Sequence, residues 1–328
     1  MAVEFKILLV LTVVLLLSNL LAWKLFRFWK PLLRLQFLIL LIFLVTELFI
    51  RFSSVHVNNR SDHWVGDDIA RVSYYFGHEL LANKTANHQA FVMDSLLFDV
   101  NYHTDSLAFR SSISPKVNAP RYLLLGGKEV FGEGLSDSLH LGSQLFKRDS
   151  TKQFLNKGLM HYNILHSLAI ADSLYQANKY SGMIVLVKPS DLDAIVANRL
   201  YLDRRGDKSP YYLIEKNQLY RKSNILEGRS IITGYMKLIN HSFLLKTIIG
   251  EYYTEEEKLT KLKQAFNHLR MIDPGCLIVL VNEEEGAWNS YALETLNKDH
   301  QAVYIDMTYN VNRTAFVNRL ADKIVQLF

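Results

Sequence analysis

The chain has 328 residues, 49% hydrophobic and 21% charged, which is enough apolar content to bury a large core and too much for a disordered tail or a fibrous repeat. The first fifty residues carry five bases (Lys6, Lys24, Arg27, Lys30, Arg34) against two acids (Glu4, Glu47), so +3 of the net +5 sits there; the near-balanced remainder excludes a dedicated nucleic-acid binder. A single cysteine, Cys276, excludes an intrachain disulfide and any multi-cysteine zinc or iron-sulfur site.

Ile7–Trp23 is seventeen residues without a charge, and Leu35–Ile50 is sixteen broken only by Glu47. Each approaches the ~20 residues that cross ~30 Å of hydrocarbon. A neutral start, no small-x-small cleavage site and a second apolar run argue against a cleaved signal peptide. The connection Lys24–Arg34 holds four bases and no acid, and short basic loops stay on the cytoplasmic side. Residues 1–51 therefore read as a transmembrane helical hairpin in the cytoplasmic (inner) membrane. Both termini and the domain from Arg51 onward then lie on the periplasmic or extracellular side. Glu47 sits one turn from the outer interface, four residues before Arg51.

Residues 52–120 are polar and irregular and read as a juxtamembrane connector, with a helix near Asp67–Ala82 and short strands near Ala90–Tyr102. From Arg121 the pattern becomes regular. Apolar, β-rich runs at Tyr122–Leu125, Met183–Val187, Cys276–Val281 and Ala302–Ile305 alternate with helix-length stretches, the signature of a parallel sheet covered by helices on both faces. The helical period is legible over Ile164–Asn178 and in a final helix over 313–327. Thr254 and Glu257 form a capping box that opens a helix running to about Arg270, and Asp273-Pro274-Gly275 turns the chain into the next strand. Residues 121–328 thus read as an α/β domain.

After the first sheet strand comes Leu125-Gly126-Gly127-Lys128-Glu129-Val130-Phe131-Gly132-Glu133-Gly134. In an open parallel sheet ligands sit beyond the carboxyl ends of the strands, so this glycine-rich turn is the first place to look for chemistry. With Asp105-Ser106-Leu107-Ala108-Phe109-Arg110 upstream, it resembles the SGNH/GDSL hydrolase family, especially its membrane-anchored bacterial members, from about Asn101 to the carboxyl terminus. The resemblance implies a flavodoxin-like three-layer domain with a serine nucleophile in a Gly-Asp-Ser turn. Here Gly127 and Lys128 stand in place of that aspartate and serine, and an ammonium cannot replace a hydroxyl activated by histidine. Gly158 matches the family glycine whose N–H serves the oxyanion hole. Lys188-Pro189-Ser190-Asp191 lacks the family asparagine, and Asp306-Met307-Thr308-Tyr309 keeps the acid but has tyrosine for the base. A tyrosine near its ordinary pKa of ~10 is a poor base at neutral pH.

The resemblance therefore implies a vestigial pocket made of Lys128, Glu129, Gly158, Asp306 and Tyr309, with no catalytic, cofactor or metal residues. Gly158 also suits a tight turn, Asp306 suits a cap for the helix after the last strand, and Lys128 can pair with Asp306 to seal the pocket. His161 and His166, five apart, do not share a helical face and read as ordinary polar residues; Glu283-Glu284-Glu285 reads as a solvated loop. Asn59, Asn83, Asn240 and Asn312 begin Asn-x-Ser/Thr triplets, which matter only in a eukaryotic secretory setting. The expected function is that of a membrane-anchored pseudo-hydrolase subunit. Its partners would be membrane or envelope proteins, with a glycan as a further ligand class. The alternative is an esterase or O-acyltransferase acting on an envelope glycan through Ser136 or Ser138.

Overall fold

The structure, a computed structural model, describes residues 35–42, 44–45, 63–66, 68–73, 76–92, 95–112, 119–175, 180–196, 211–215, 218–223, 253–282, 287–300, 302–308 and 312–327. The chain divides into two compact units. The first comprises Met1–Arg60, Asp203–Arg205 and Gly228–Tyr252. Within it residues 35–42 are helical, and Leu35, Leu38, Ile39, Leu41, Ile42 and Val45 are exposed. The expected span Ile7–Trp23 and the basic loop lie outside the described residues. Among the described residues no helix is long and apolar enough to cross a membrane.

The second unit holds twelve strands, β1 (His63–Gly66), β2 (Ala70–Ser73), β3 (Gly77–Leu80), β4 (Thr85–Val92), β5 (Ser95–His103), β6 (Arg121–Leu125), β7 (Gln153–Asn156), β8 (Gly182–Val187), β9 (Tyr211–Glu215), β10 (Gln218–Ser223), β11 (Leu277–Asn282) and β12 (Val303–Thr308), among the described residues. Among the described residues its α-helices are α1 (Lys128–Phe131), α2 (Leu141–Arg148), α3 (Ile164–Ile170), α4 (Asp191–Val196), α5 (Glu255–Ile272), α6 (Ser290–His300) and α7 (Arg313–Val325), with a π-helical turn, Ala171–Tyr175, continuing α3. Five strands pair in parallel in the order β12-β11-β8-β6-β7. Numbered along the chain this is 2-1-3-4-5, the flavodoxin-like doubly wound order, whose switch point lies between β6 and β8.

Strand alternation builds the three layers. Leu123, Leu125, Met183, Val185, Val187, Ile278 and Leu280 pack with Leu165, Leu168, Leu262 and Phe266 of α3 and α5. The intervening Leu124, Ile184, Leu186, Val279, Val281 and Ile305 pack with Leu141, Leu145, Phe316, Leu320 and Ile324 of α2 and α7. All six residues of β8 are buried, as a central strand covered on both faces requires. The Thr254–Glu257 capping box opens α5 as the sequence predicts.

The helix expected over 67–82 is instead a hairpin of β2 and β3, with Ala70 opposite Leu80 and Arg71 opposite Glu79. The physical reason is pairing across the strands: the Arg71 guanidinium meets the Glu79 carboxylate at 2.7 Å, and Ser73 Oγ donates to the same carboxylate at 3.2 Å. The strands expected near Ala90–Tyr102 are β4 and β5, which with β1 form an antiparallel sheet. The segment read as a connector therefore shares a core with the α/β domain: Ile69, Leu80, Ala86 and Tyr102 belong to the same buried cluster as Leu123 and Leu165.

The turn after β5 carries the sequence that prompted the family resemblance. Asp105 Oδ1 accepts from Leu107 N and Phe109 N, both at 2.9 Å, and Lys157 Nζ donates to the Ala108 carbonyl at 2.8 Å. These bonds hold Ala108 at φ 59°, a left-handed conformation that glycine adopts without strain. Ala108→Gly is expected to stabilise the domain by about 0.5–1 kcal/mol, read as a higher midpoint in urea.

Candidate functional site

The carboxyl ends of β6 and β8 define the switch point, and their loops converge there. Gly127 shows why the β6 turn is glycine-rich. A Cβ at this position would lie 2.9 Å from the Tyr162 carbonyl, 3.1 Å from Glu129 Oε2 and 3.5 Å from Lys188 Nζ. Lys128, Glu129 and Lys188 are thus brought to one place. Asp191 fastens it from below: its Oδ1 accepts from Ile164 N at 2.7 Å and its Oδ2 from Lys188 N at 2.9 Å.

The turn is filled by carboxylates rather than left open. Glu129 is 1% exposed and Glu133 is 6% exposed. Burial pushes the Glu133 carboxyl above its usual range against the pull of Arg313, Lys128 and Lys188, and the neighbouring Glu129 adds to the rise. Arg313, whose guanidinium lies 3.8 Å from Glu133 Oε2 and 4.6 Å from the Phe98 ring centre, covers this side. Glu129 Oε1 is buried with no hydrogen-bond partner among the described residues.

Gly158 does not offer the oxyanion donor that the resemblance implies. Its N–H donates to Asn156 Oδ1 at 3.0 Å, and Asn156 Nδ2 in turn donates to the Val130 carbonyl at 2.6 Å. A Cβ on Gly158 would come within 2.6 Å of Phe131 N and 2.7 Å of Val130 Cβ, so the glycine lets β7 approach the backbone of α1. Asp306 does not cap the last helix either. It stands within β12, where its Oδ1 accepts from Asn282 Nδ2 at 3.2 Å and Tyr304 OH at 3.1 Å, and Asn312 caps α7 instead, accepting from Ala315 N at 3.0 Å. No ion pair joins Lys128 to Asp306 among the described residues. Tyr309 and Glu283-Glu284-Glu285 lie outside the described residues. His161 is exposed, whereas His166 is buried, stacked on Tyr162 at 4.5 Å and part of the capping box of α3.

Three groups that carry the geometry were not singled out from the sequence: Arg110, Asn156 and His140. Arg110 is 1% exposed, lies 4.4 Å from the Tyr102 ring centre and 4.6 Å from that of Phe131, and donates to the carbonyls of Phe131, Gly132 and Leu135 and to Asp137 Oδ1. It fixes the loop that leaves α1. On that loop the Ser136 and Ser138 hydroxyls are 3.1 Å apart, and Asp137 Oδ2 meets His103 Nδ1 at 2.5 Å. Arg110 stands in the quoted upstream motif, but a lone arginine gives no sign of burial.

His140 caps α2. Its Nδ1 accepts from Gly142 N at 3.1 Å, which assigns the proton to Nε2, 2.8 Å from the Ser111 carbonyl. Full burial, with Arg110 nearby, lowers its pKa from 6.5 to about 3 despite the bond to Ser111. Between these values the unfolded chain binds a proton that the folded chain refuses, so stability falls as pH drops through this window, by up to ~1.4 kcal/mol per pH unit. Urea midpoints at pH 6.5 and 5 should differ accordingly, and His140→Asn should remove that share of the slope.

No protein-family model and no curated protein matches the chain. Among solved structures it is similar to an acetyl xylan esterase from the rumen bacterium Butyrivibrio proteoclasticus, with 9% identity over 80% of this chain and 87% of that one at TM-score 0.33. It is also similar to a catalytic mutant of an acetylxylan esterase from Geobacillus stearothermophilus, with 11% identity over 65% and 83% at TM-score 0.30. A peroxisomal alpha-beta-hydrolase from Saccharomyces cerevisiae aligns with 12% identity over 83% and 91% at TM-score 0.25.

Proposed function

We propose that the chain is a membrane-anchored, catalytically inactive SGNH-like subunit with a binding or structural role in a cell-envelope membrane complex. The observation that carries this reading is the inward bond from Gly158 N–H to Asn156 Oδ1. The donor that would stabilise an oxyanion is already used to pack β7 against α1, behind a turn with lysine in the place of the nucleophile. Loss of even one member of a catalytic triad removes most of a serine hydrolase's rate. The buried Glu129 and Glu133 support a filled, vestigial pocket. Partners then meet the subunit through the transmembrane hairpin, whose short spans suit packing against other membrane helices, and through the outside domain, with a glycan as the ligand class that the resemblance suggests.

The test uses the purified full-length protein. Short acyl esters should turn over no faster than with a Lys128→Ala variant, and a serine-directed fluorophosphonate should leave the chain unlabelled. Protease protection in spheroplasts should find the carboxyl terminus accessible; a shielded terminus would refute the outward orientation. One observation favours a second reading, a membrane-anchored esterase or O-acyltransferase: the Asp137–His103 pair adjoins Ser136 and Ser138 in sequence. Fluorophosphonate label on either serine would establish it.

A further inference from the structure

We infer that the turn after β6 binds a hydrogen phosphate group, with Lys128, Lys188 and Arg313 around its ionised oxygens and Glu129 accepting its remaining proton. The inference deepens the reading of this turn as a binding site without catalysis, and it rests on that reading.

The first observation is an acceptor that lacks a donor. Glu129 Oε1 is buried with no hydrogen-bond partner among the described residues, on a side chain whose residue is 1% exposed. A buried carboxylate oxygen left in that state is costly, so a donor brought by a ligand is strongly favoured. The other oxygen, Oε2, lies 3.1 Å from the point where a Cβ on Gly127 would stand, and Lys188 Nζ lies 3.5 Å from the same point. Lys188 is half-buried, so its stem runs from solvent towards Glu129 and marks the way in. Asp191, the neighbouring buried acid, is in a different condition: its two oxygens already accept from Ile164 N and Lys188 N.

The second observation is a cation that lacks a close counter-ion. Lys128 is half-buried and makes no side-chain hydrogen bond and no ion pair among the described residues. Its charge acts on the Glu133 carboxyl together with those of Arg313 and Lys188, so three cations gather about one buried acid, which burial pushes above its usual range. Arg313 is the nearest of them, 3.8 Å from Glu133 Oε2, longer than a hydrogen bond.

One ligand chemistry answers both observations, an oxyanion that keeps a proton. Hydrogen phosphate offers ionised oxygens to lysine and arginine and a P–OH to a carboxylate. Sulfate has the same shape and no proton at neutral pH, so one of its oxygens would face Glu129 acceptor to acceptor. A neutral sugar hydroxyl would serve Glu129 but leave Lys128 without an anion.

The experiment titrates the full-length protein in detergent micelles with sodium phosphate and, separately, with sodium sulfate by calorimetry at about pH 6, where a phosphomonoester also keeps part of its P–OH. Phosphate should bind about tenfold or more tightly than sulfate, the factor expected for one charge-assisted hydrogen bond gained or lost. Lys128→Met should weaken phosphate by about tenfold. Glu129→Gln should erase the preference by admitting sulfate, because an amide can donate to a fully ionised oxyanion. Near-UV circular dichroism checks that each variant is folded; should Glu129→Gln fail to fold, Lys188→Met, expected to weaken phosphate as Lys128→Met does, replaces it. Competition by glucose 6-phosphate would support the site as one for a phosphorylated ligand, and phosphate binding without such competition would support it as one for the free ion. Absence of phosphate binding, equal binding of the two ions by the parent, or phosphate binding unchanged in Lys128→Met would overturn the inference. Turnover of short acyl esters by the parent would instead refute the noncatalytic reading, which the ratio of phosphate to sulfate affinity does not touch.

Discussion

Replacing Arg110 with methionine is expected to destabilise the second unit by about 3–5 kcal/mol, among the largest effects of any single change in the chain. The side chain is fully buried, and its guanidinium answers three carbonyls at the end of α1 and in the loop after it, those of Phe131, Gly132 and Leu135, as well as Asp137 Oδ1. Methionine conserves much of the volume but takes the guanidinium donors from the buried Phe131 and Leu135 carbonyls, while the Gly132 carbonyl keeps Leu135 N and the part-exposed Asp137 keeps His103. Each buried acceptor left unpaired costs about 1–3 kcal/mol, only partly relieved by relaxation of the loop. The contacts with the Tyr102 and Phe131 rings are lost as well. Arg110→Lys should recover part of the loss, because an ammonium reaches one or two carbonyls but lacks the planar fork that serves several at once. Loss of near-UV circular dichroism in urea measures the effect. A Met variant within about 1 kcal/mol of the parent would show that the loop, rather than the arginine, holds this corner.

The residues explain which parts of this architecture are visible without coordinates. The parallel sheet is legible because its central strands are buried on both faces and so appear as uninterrupted apolar runs, such as Met183–Val187, each with helix-length sequence on either side. The long helix before β11 announces itself through Thr254 and Glu257, whose reciprocal bonds are local in sequence. The β2–β3 hairpin is not legible in the same way. Beside its pairing of Arg71 with Glu79, its apolar residues Ile69 and Leu80 are buried against residues of the α/β domain that are distant in sequence. β7 is short, with only Phe154, Leu155 and Asn156 fully buried.

At the candidate site the distinction is sharper. The resemblance read from the sequence sets Lys128 and Gly127 where that family would carry a serine and an aspartate. It does not reveal that the Gly158 amide is spent on Asn156, because the use of a backbone donor depends on a side chain's rotamer. The role assigned to Asp306 fails for a related reason. An acid between a strand and a helix suits a cap, but β12 runs on to Thr308, which places Asp306 two residues inside the strand beside Asn282 and Tyr304.

Asn156→Ala is expected to cost about 2–4 kcal/mol and to leave the chain without esterase activity. The stability loss follows from two groups orphaned at once. The Gly158 N–H loses the oxygen it donates to at 3.0 Å, and the Val130 carbonyl loses the amide that reaches it at 2.6 Å, both in a fully buried corner that also contains His140 Nδ1 at 3.2 Å. Asn156→Asp should be worse, since a carboxylate facing the Val130 carbonyl replaces a donor with a charged acceptor. The activity outcome separates the two functional readings. The variant returns the Gly158 amide to the state in which a hydrolase would use it, yet Lys128 still provides no hydroxyl. If the family site is vestigial, freeing the amide changes stability alone, and both ester turnover and fluorophosphonate labelling stay at the parent's level. An increase in turnover would mean that Asn156 restrains a working oxyanion donor, with the nucleophile then to be sought at Ser136 or Ser138.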